Sequence, residues 1–244
     1  MARFISELES VGQDDFVSTA TPTHTIGTRA VSDDGCVYRY VKAGAVDLVA
    51  GNVIQGPATI PNHLANTPPA VAIGAKSFTY TPGNTAAAAQ FYAGGYLQVD
   101  TTPGNGYRYV IDSHLAITAS TAFTLNLRDP IQVALTTSSR VGLMPNKYNG
   151  VLQFPVTTAT GPVVGVATYI ISANQYGWVQ TKGPASVLIS GTPALGAYVM
   201  TPSAVAGSAI ILTTTNLVVA QIVGTMLQIG VDTKNNFVDL KIDW

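Results

Sequence analysis

The chain has 244 residues and a formal net charge of −1, and only 10% of its residues are charged, against about 25% in an ordinary soluble domain. That balance excludes the bulk field that would draw in nucleic acid or an acidic membrane surface. The length suits one large β domain or two small ones, with a real core in either case.

In chain order, the first 35 residues carry Arg3, Glu7, Glu9, Asp14, Asp15, Arg29, Asp33 and Asp34, with little strand pattern. Ile5–Glu9 suits one helical turn, and the stretch as a whole reads as an extended arm that orders against a partner. Short runs rich in Val, Ile, Tyr, Phe and Thr then follow at Cys36–Val41, Tyr96–Val99, Tyr107–Ile111, Phe123–Leu127, Val163–Ile171, Ser186–Ile189, Tyr198–Met200, Ala209–Leu212 and Phe237–Ile242. Tyr107, Tyr109 and Ile111 share one face of a strand, as do Val238, Leu240 and Ile242. Turn signals separate the runs, among them Gly56-Pro57, Asn149-Gly150 and Gly183-Pro184. Asn84–Phe91 begins with a capping residue and continues with good helix formers, which predicts a short helix. The expected fold is all-β, of sandwich or barrel type, with the arm and at most one or two short helices. Turn residues cluster at Pro145–Pro155, so the expected divisions are an arm at 1–35, a tyrosine-rich β domain at 36–150 and a charge-poor β domain at 151–244.

From Pro130 to Val231 only Arg140, Lys147 and Lys182 are charged, a surface easier to understand if other chains cover much of it. The longest apolar run, Leu217–Val231, is broken by Gln221, Gly224, Thr225 and Gln228 and falls short of the roughly 20 residues of a spanning helix. The opening MARFISELES lacks the apolar stretch of a signal peptide. Cys36 is the only cysteine, which rules out an intrachain disulfide and a cysteine-built zinc cage. The lone cysteine points to folding in a reducing cytoplasm, while Thr-, Ser-, Ala- and Gly-rich, charge-poor β sequence is more typical of exterior proteins.

Three segments, Ala50–Gln55, Ala93–Gln98 and Leu195–Met200, repeat one shape: a small or apolar residue, a glycine, a spacer and a strand start. The glycine suits a positive φ or a tight entry to a strand. Chemistry-bearing patterns are sparse. Asp112 and His114 stand two apart, as metal ligands on one strand face would, but no cluster adjoins them and a strand end in water is the simpler reading. Gly-x-Ser-x-Gly and phosphate-loop motifs do not occur, so no catalytic, cofactor or metal residue is assigned and no enzyme is expected. Seven tyrosines between Tyr38 and Tyr109 could stack on sugars, but a core role with hydroxyls at the rim is favoured. In Asn174–Ala185, Tyr176, Trp178 and Gln180 fall on one side of a strand and Gly177, Val179 and Thr181 on the other, with Lys182-Gly183-Pro184 as turn material.

Gly106–Tyr109, Ala93–Leu97, Tyr176–Gln180 and the Leu-Gly-x-x-Val step at 195–199 resemble virion structural proteins of tailed bacteriophages, most like capsid decoration (cement) proteins. The resemblance spans roughly Gly35 to the C-terminus and lies in style and short fragments. It implies a β-rich protein on the capsid exterior, a homo-oligomer (commonly a trimer), whose partner is the major capsid protein and which has no catalytic residues. The expected contacts are made by Phe4, Ile5, Phe16 and Val17 of the arm with Tyr38, Tyr40 and Trp178. The rival expectations are a tail fibre or receptor-binding protein and another minor head or tail component.

Overall fold

The structure, a computed structural model, describes residues 9–156, 158–217 and 220–243. The described residues are nearly all β. In chain order the strands are β1 (Glu9–Ser10), β2 (Arg29–Val31), β3 (Val37–Ala43), β4 (Val53–Gln55), β5 (Ser77–Tyr80), β6 (Tyr96–Thr101), β7 (Arg108–His114) and β8 (Phe123–Leu127). They continue as β9 (Arg140–Met144), β10 (Asn149–Gln153), β11 (Val163–Ala167), β12 (Tyr176–Ser190), β13 (Tyr198–Thr201), β14 (Ala209–Ile211), β15 (Gln221–Met226) and β16 (Lys234–Lys241). Single 3-10 turns stand at Gln13–Asp15 and Pro61–His63. The helix expected at Asn84–Phe91 is not formed. Eight residues are too few to nucleate a stable helix alone, and Ala87 bridges to Ile117 instead.

The chain forms two compact units, residues 1–57 with 147–244 and residues 58–146. This differs from the expected cuts at 36 and 150. The turn cluster at Pro145–Pro155 does hold a unit boundary, but there the chain returns to a unit it left at Pro57. The return leaves no sign in composition, since both sides are ordinary β sequence.

The discontinuous unit contains two closed five-stranded rings. One runs β3-β10-β4-β11-β12 and closes through β3–β12; the other runs β12-β14-β13-β15-β16 and closes through β12–β16. They have the same topology, with a single parallel pair in each, β3–β10 and β12–β14. Their registers also correspond. Val166 faces Gln180 and Ala167 faces Val179 in the first ring, as Thr225 faces Asp239 and Met226 faces Val238 in the second. Val53, Ile54 and Gln55 face Val166, Gly165 and Val163 with Val164 skipped; Tyr198, Val199 and Met200 face Thr225, Gly224 and Ile222 with Val223 skipped. Gly165 and Gly224 follow the skipped residue, and a Cβ there would lie 2.9 Å from Gln180 O and 2.1 Å from Asp239 O. The unit is an internal duplication, and the 58–146 unit is inserted between the second and third strands of its first ring.

The rings share β12. Its first half pairs with β3 (Trp178 opposite Tyr40) and its second half with β16 (Ser186 opposite Phe237). Lys182-Gly183-Pro184, expected as a turn, lies inside this 15-residue strand. Gly183 adopts φ +91° beside the register shift between Gln180 and Lys182, and the Gln180 amide donates to Lys182 O (3.2 Å) and Pro184 O (2.9 Å) across the bend. The turn chemistry is spent on a bulge that passes the strand from one ring to the next. The first core holds Val41, Ile54, Val151 and Val179, and the second holds Val187, Val199, Val223, Val238 and Leu240. Val53, Phe154 and Val166, carried by the first ring and its flank, pack into the second core. Gly51 and Gly196 have positive φ one residue before the first residue preceding the equivalent strands β4 and β13, so that part of the repeated shape marks the duplication.

In residues 58–146 the sheet order is β5-β8-β7-β6-β9. Alternating residues Phe78, Tyr80, Leu97, Val99, Tyr109, Ile111, Leu125, Val141 and Leu143 form its core with Tyr92.

Candidate functional site

On the outer face of the first ring, Trp178 and Tyr40 lie opposite one another with ring centroids 5.0 Å apart and 64° between planes. Residues 9–31 fold over them. β2 pairs antiparallel with β3, β1 runs parallel to β2, and Val11, Ala30 and Phe16 pack on Tyr38, Tyr40 and Trp178. His24 stands edge-on to Trp178 at 5.0 Å and to Tyr40 at 5.1 Å. Its Nε2 is 2.7 Å from Glu9 Oε2, and its Nδ1 is 2.8 Å from Thr23 Oγ1. Hydroxyl, imidazole and carboxylate in series is the order used by hydrolytic triads. Here Thr23 Oγ1 is also 3.0 Å from the Tyr40 hydroxyl, so the series ties the strap to the ring.

Shallow clefts flank this strap. One of about 200 Å³ is lined by Asp14, Thr19, His24, Tyr40 and Trp178, and one of about 290 Å³ by Gln13, Phe16, Asp33, Asp34 and Tyr38. In the second, the Ser32 hydroxyl and the Cys36 amide donate to Asp34 Oδ1 and hold its carboxyl below the usual range. Burial, with the Asp34 charge nearby, pushes the Cys36 thiol up to about 11. Burial likewise pushes Tyr38 and Tyr169 up to about 12. Arg39 Nε donates to Asp243 Oδ2 at 2.6 Å and its Nη1 to Gly27 O at 3.1 Å, locking the far end of the chain to the strap.

The equivalent face of the second ring is bare. Phe237 takes the ladder position of Trp178 but is 53% exposed, where Trp178 is 3% exposed. The row Tyr198–Thr225–Asp239 corresponds to Val53–Val166–Gln180, which is buried, yet Tyr198 is 50% exposed. Leu227 donates its amide to Phe237 O at 2.9 Å and is also exposed. Beside them, loops joined by Gly230 N to Pro193 O at 2.7 Å carry exposed Leu195, Ile229 and Val231.

The structure brings Phe16, Tyr38, Tyr40 and Trp178 together, but as a buried cluster under the chain's own strap rather than as surface for a partner. Over residues 9–31 the expected arm is packed on the chain's own ring face through β1 and β2. Val17 is exposed, while Phe4 and Ile5 lie outside the described residues. His114 is buried rather than a strand end in water, and Asp112 is exposed, since the strand shifts register between Ile111 and Ser113. Among the described residues there is no group of three or more His, Cys, Asp or Glu placed to hold a metal, and no helix long and apolar enough to cross a membrane. Sequence reasoning missed Phe237, Leu227 and Tyr198 as a shared face. The available signal was the match of VVG at 163–165 to IVG at 222–224, which aligns Trp178 with Phe237. The chain matches no family model, no curated protein and no solved structure.

Proposed function

We propose that this protein is a virion structural protein that binds the outside of a phage capsid and cements neighbouring major capsid subunits. The observation that carries this reading is the contrast between equivalent faces. The first ring covers its Trp178 face with its own chain, whereas the second leaves Phe237, Leu227 and Tyr198 to solvent. Large apolar residues grouped on an otherwise polar surface mark contact sites. The surroundings are Ser186, Pro184, Thr225 and Asn235, with Asp239 in the Tyr198 row and the Lys241 ammonium 5.6 Å from the Tyr198 ring, so a covering partner must match a polar rim and two charges as well as the apolar groups. Copies repeated over a shell gain from multivalency even when single contacts are modest. The glycan-binding alternative draws less support, because Tyr38, Tyr40, Tyr80, Tyr92 and Tyr109 turn their rings inward.

The test is reconstitution. Purified chain added to capsids stripped of accessory proteins should bind saturably, in hundreds of copies per particle, and should raise the temperature at which the heads rupture. Absence of saturable binding, with the protein folded, would overturn the reading.

A further inference from the structure

The 58–146 unit holds a buried trio that the proposed function does not use. His63, Tyr92 and His114 are all at most 2% exposed. The Tyr92 amide donates to His114 Nε2 at 3.0 Å. A backbone N–H can only donate, so that nitrogen carries no proton, and Nδ1 must be the protonated one. It donates to Leu115 O at 2.7 Å. His63 has the opposite tautomer: its Nε2 faces Thr85 O at 2.8 Å, an obligate acceptor, so Nε2 carries the proton. Its Nδ1 then accepts the Tyr92 hydroxyl at 2.6 Å. A single residue therefore donates to both imidazoles, once from its backbone and once from its phenol.

We propose that Tyr92 is an acid-released latch: its two hydrogen bonds tie the turn before β6 to the Pro61–His63 turn and to the end of β7 only while both histidines are neutral, beside the bonds from Gln90 N to His114 O and Gly94 N to Ile111 O, which do not depend on that charge. A proton on His114 Nε2 would point at the Tyr92 N–H, so that hydrogen bond must break. A proton on His63 Nδ1 would force the Tyr92 hydroxyl to turn away from donating. Around the trio, burial opposes a charge on His114 and outweighs Leu115 O, whose hydrogen bond favours one. Gln90 Oε1 takes the His114 amide at 3.3 Å. The Phe123 ring lies 5.9 Å from the His114 ring. Tyr80 and Tyr92 are phenols whose titration burial pushes upward, and Asp100 acts on Tyr80. Burial moves His114 below the ordinary histidine range, and a charge on His63 would lower it further. Since the unfolded chain takes up a proton near pH 6.5 and the folded one does so lower, stability is full above about 6.5 and is lost as pH falls through that window.

The test uses the full chain with isotope-labelled histidine, followed by NMR and amide hydrogen exchange. At pH 7.5 His114 should carry its proton on Nδ1 and His63 on Nε2. On acidification, protonation of His114 should coincide with at least about a tenfold loss of Tyr92 amide protection, while Val179 of the other unit keeps its own. The reverse tautomer at either histidine, or titration with Tyr92 still protected, would overturn the latch. The H63Q/H114Q double variant keeps acceptors for both Tyr92 donors and cannot be charged, so it should hold Tyr92 protected at the acid pH. Release at the same pH as the wild type would also overturn it. If the double variant does not fold, the wild-type tautomers and exchange decide alone.

Discussion

Phe237 stands in the second ring where Trp178 stands in the first: each is the outer-face aromatic at the same step of a closing ladder, one covered and the other bare. The two should respond oppositely to truncation. Trp178→Ala removes a buried ring and its edge contacts with Tyr40 and His24, at a cost of about 3–5 kcal/mol in urea unfolding. Phe237→Ser should change unfolding by less than about 1 kcal/mol, yet weaken capsid binding by about tenfold or more if this face meets the shell. Equal losses of stability would show that the second face is packed after all.

The bend in β12 depends on Gly183. Its φ is +91°, and a Cβ would lie 2.8 Å from Cys36 Sγ and 3.3 Å from Cys36 Cα. Gly183→Ala should therefore cost about 1–3 kcal/mol, and Cys36→Ser should not recover it, because the left-handed backbone remains. Paired thermal melts of the single and double variants measure this.

Cys36 sets an alkaline limit. Its thiol is pushed up to about 11 in the folded protein, whereas an exposed thiol ionises near 8.5–9. Between those values the unfolded chain has lost a proton that the folded chain keeps, so stability falls as pH rises through about 9 to 11. Tyr38 and Tyr169, at about 12 when folded, extend the loss above pH 10. At pH 8 the native thiol should resist a disulfide reagent and react only on addition of denaturant. Rapid native labelling would contradict the burial.

Arg39 and Asp243 join β3 to the last described residues at 2.6 Å, and both side chains are largely buried. Asp243→Ala leaves a guanidinium with Gly27 O as its remaining hydrogen-bond acceptor and should cost about 1–3 kcal/mol. Arg39→Lys should not fully substitute, since a lysine cannot reach both partners as a fork. Unfolding of both variants by denaturant gives the comparison.

Period-2 alternation made most of the fold legible. Phe123–Leu127 and the inward set Val238, Leu240 and Ile242 stand where alternation puts them, because side-chain direction in a strand is a local property. The two faces of Tyr176–Thr181 were readable for the same reason. Strand ends and chain returns were not. Gly183-Pro184 has the chemistry of a turn, and whether it turns or bulges depends on β16 pairing on through Lys182–Ile189, a contact far away in sequence. Trp178 and Tyr40 were legible as partners of something, but not of residues 9–31, since β1 and β2 are very short strands with no clear alternation. The bare face at Phe237 needed the duplication, which shows in ladder registers far more clearly than in residue identities.

A duplicated module can usually be snipped from its twin at a linker. Here the twins have a wall in common, and fifteen residues serve both. Neither half can be excised, swapped or pulled open without tearing the other, so a tug at one end is carried along a single taut cord to the opposite end. Within this unit, strain on either ring is met by both.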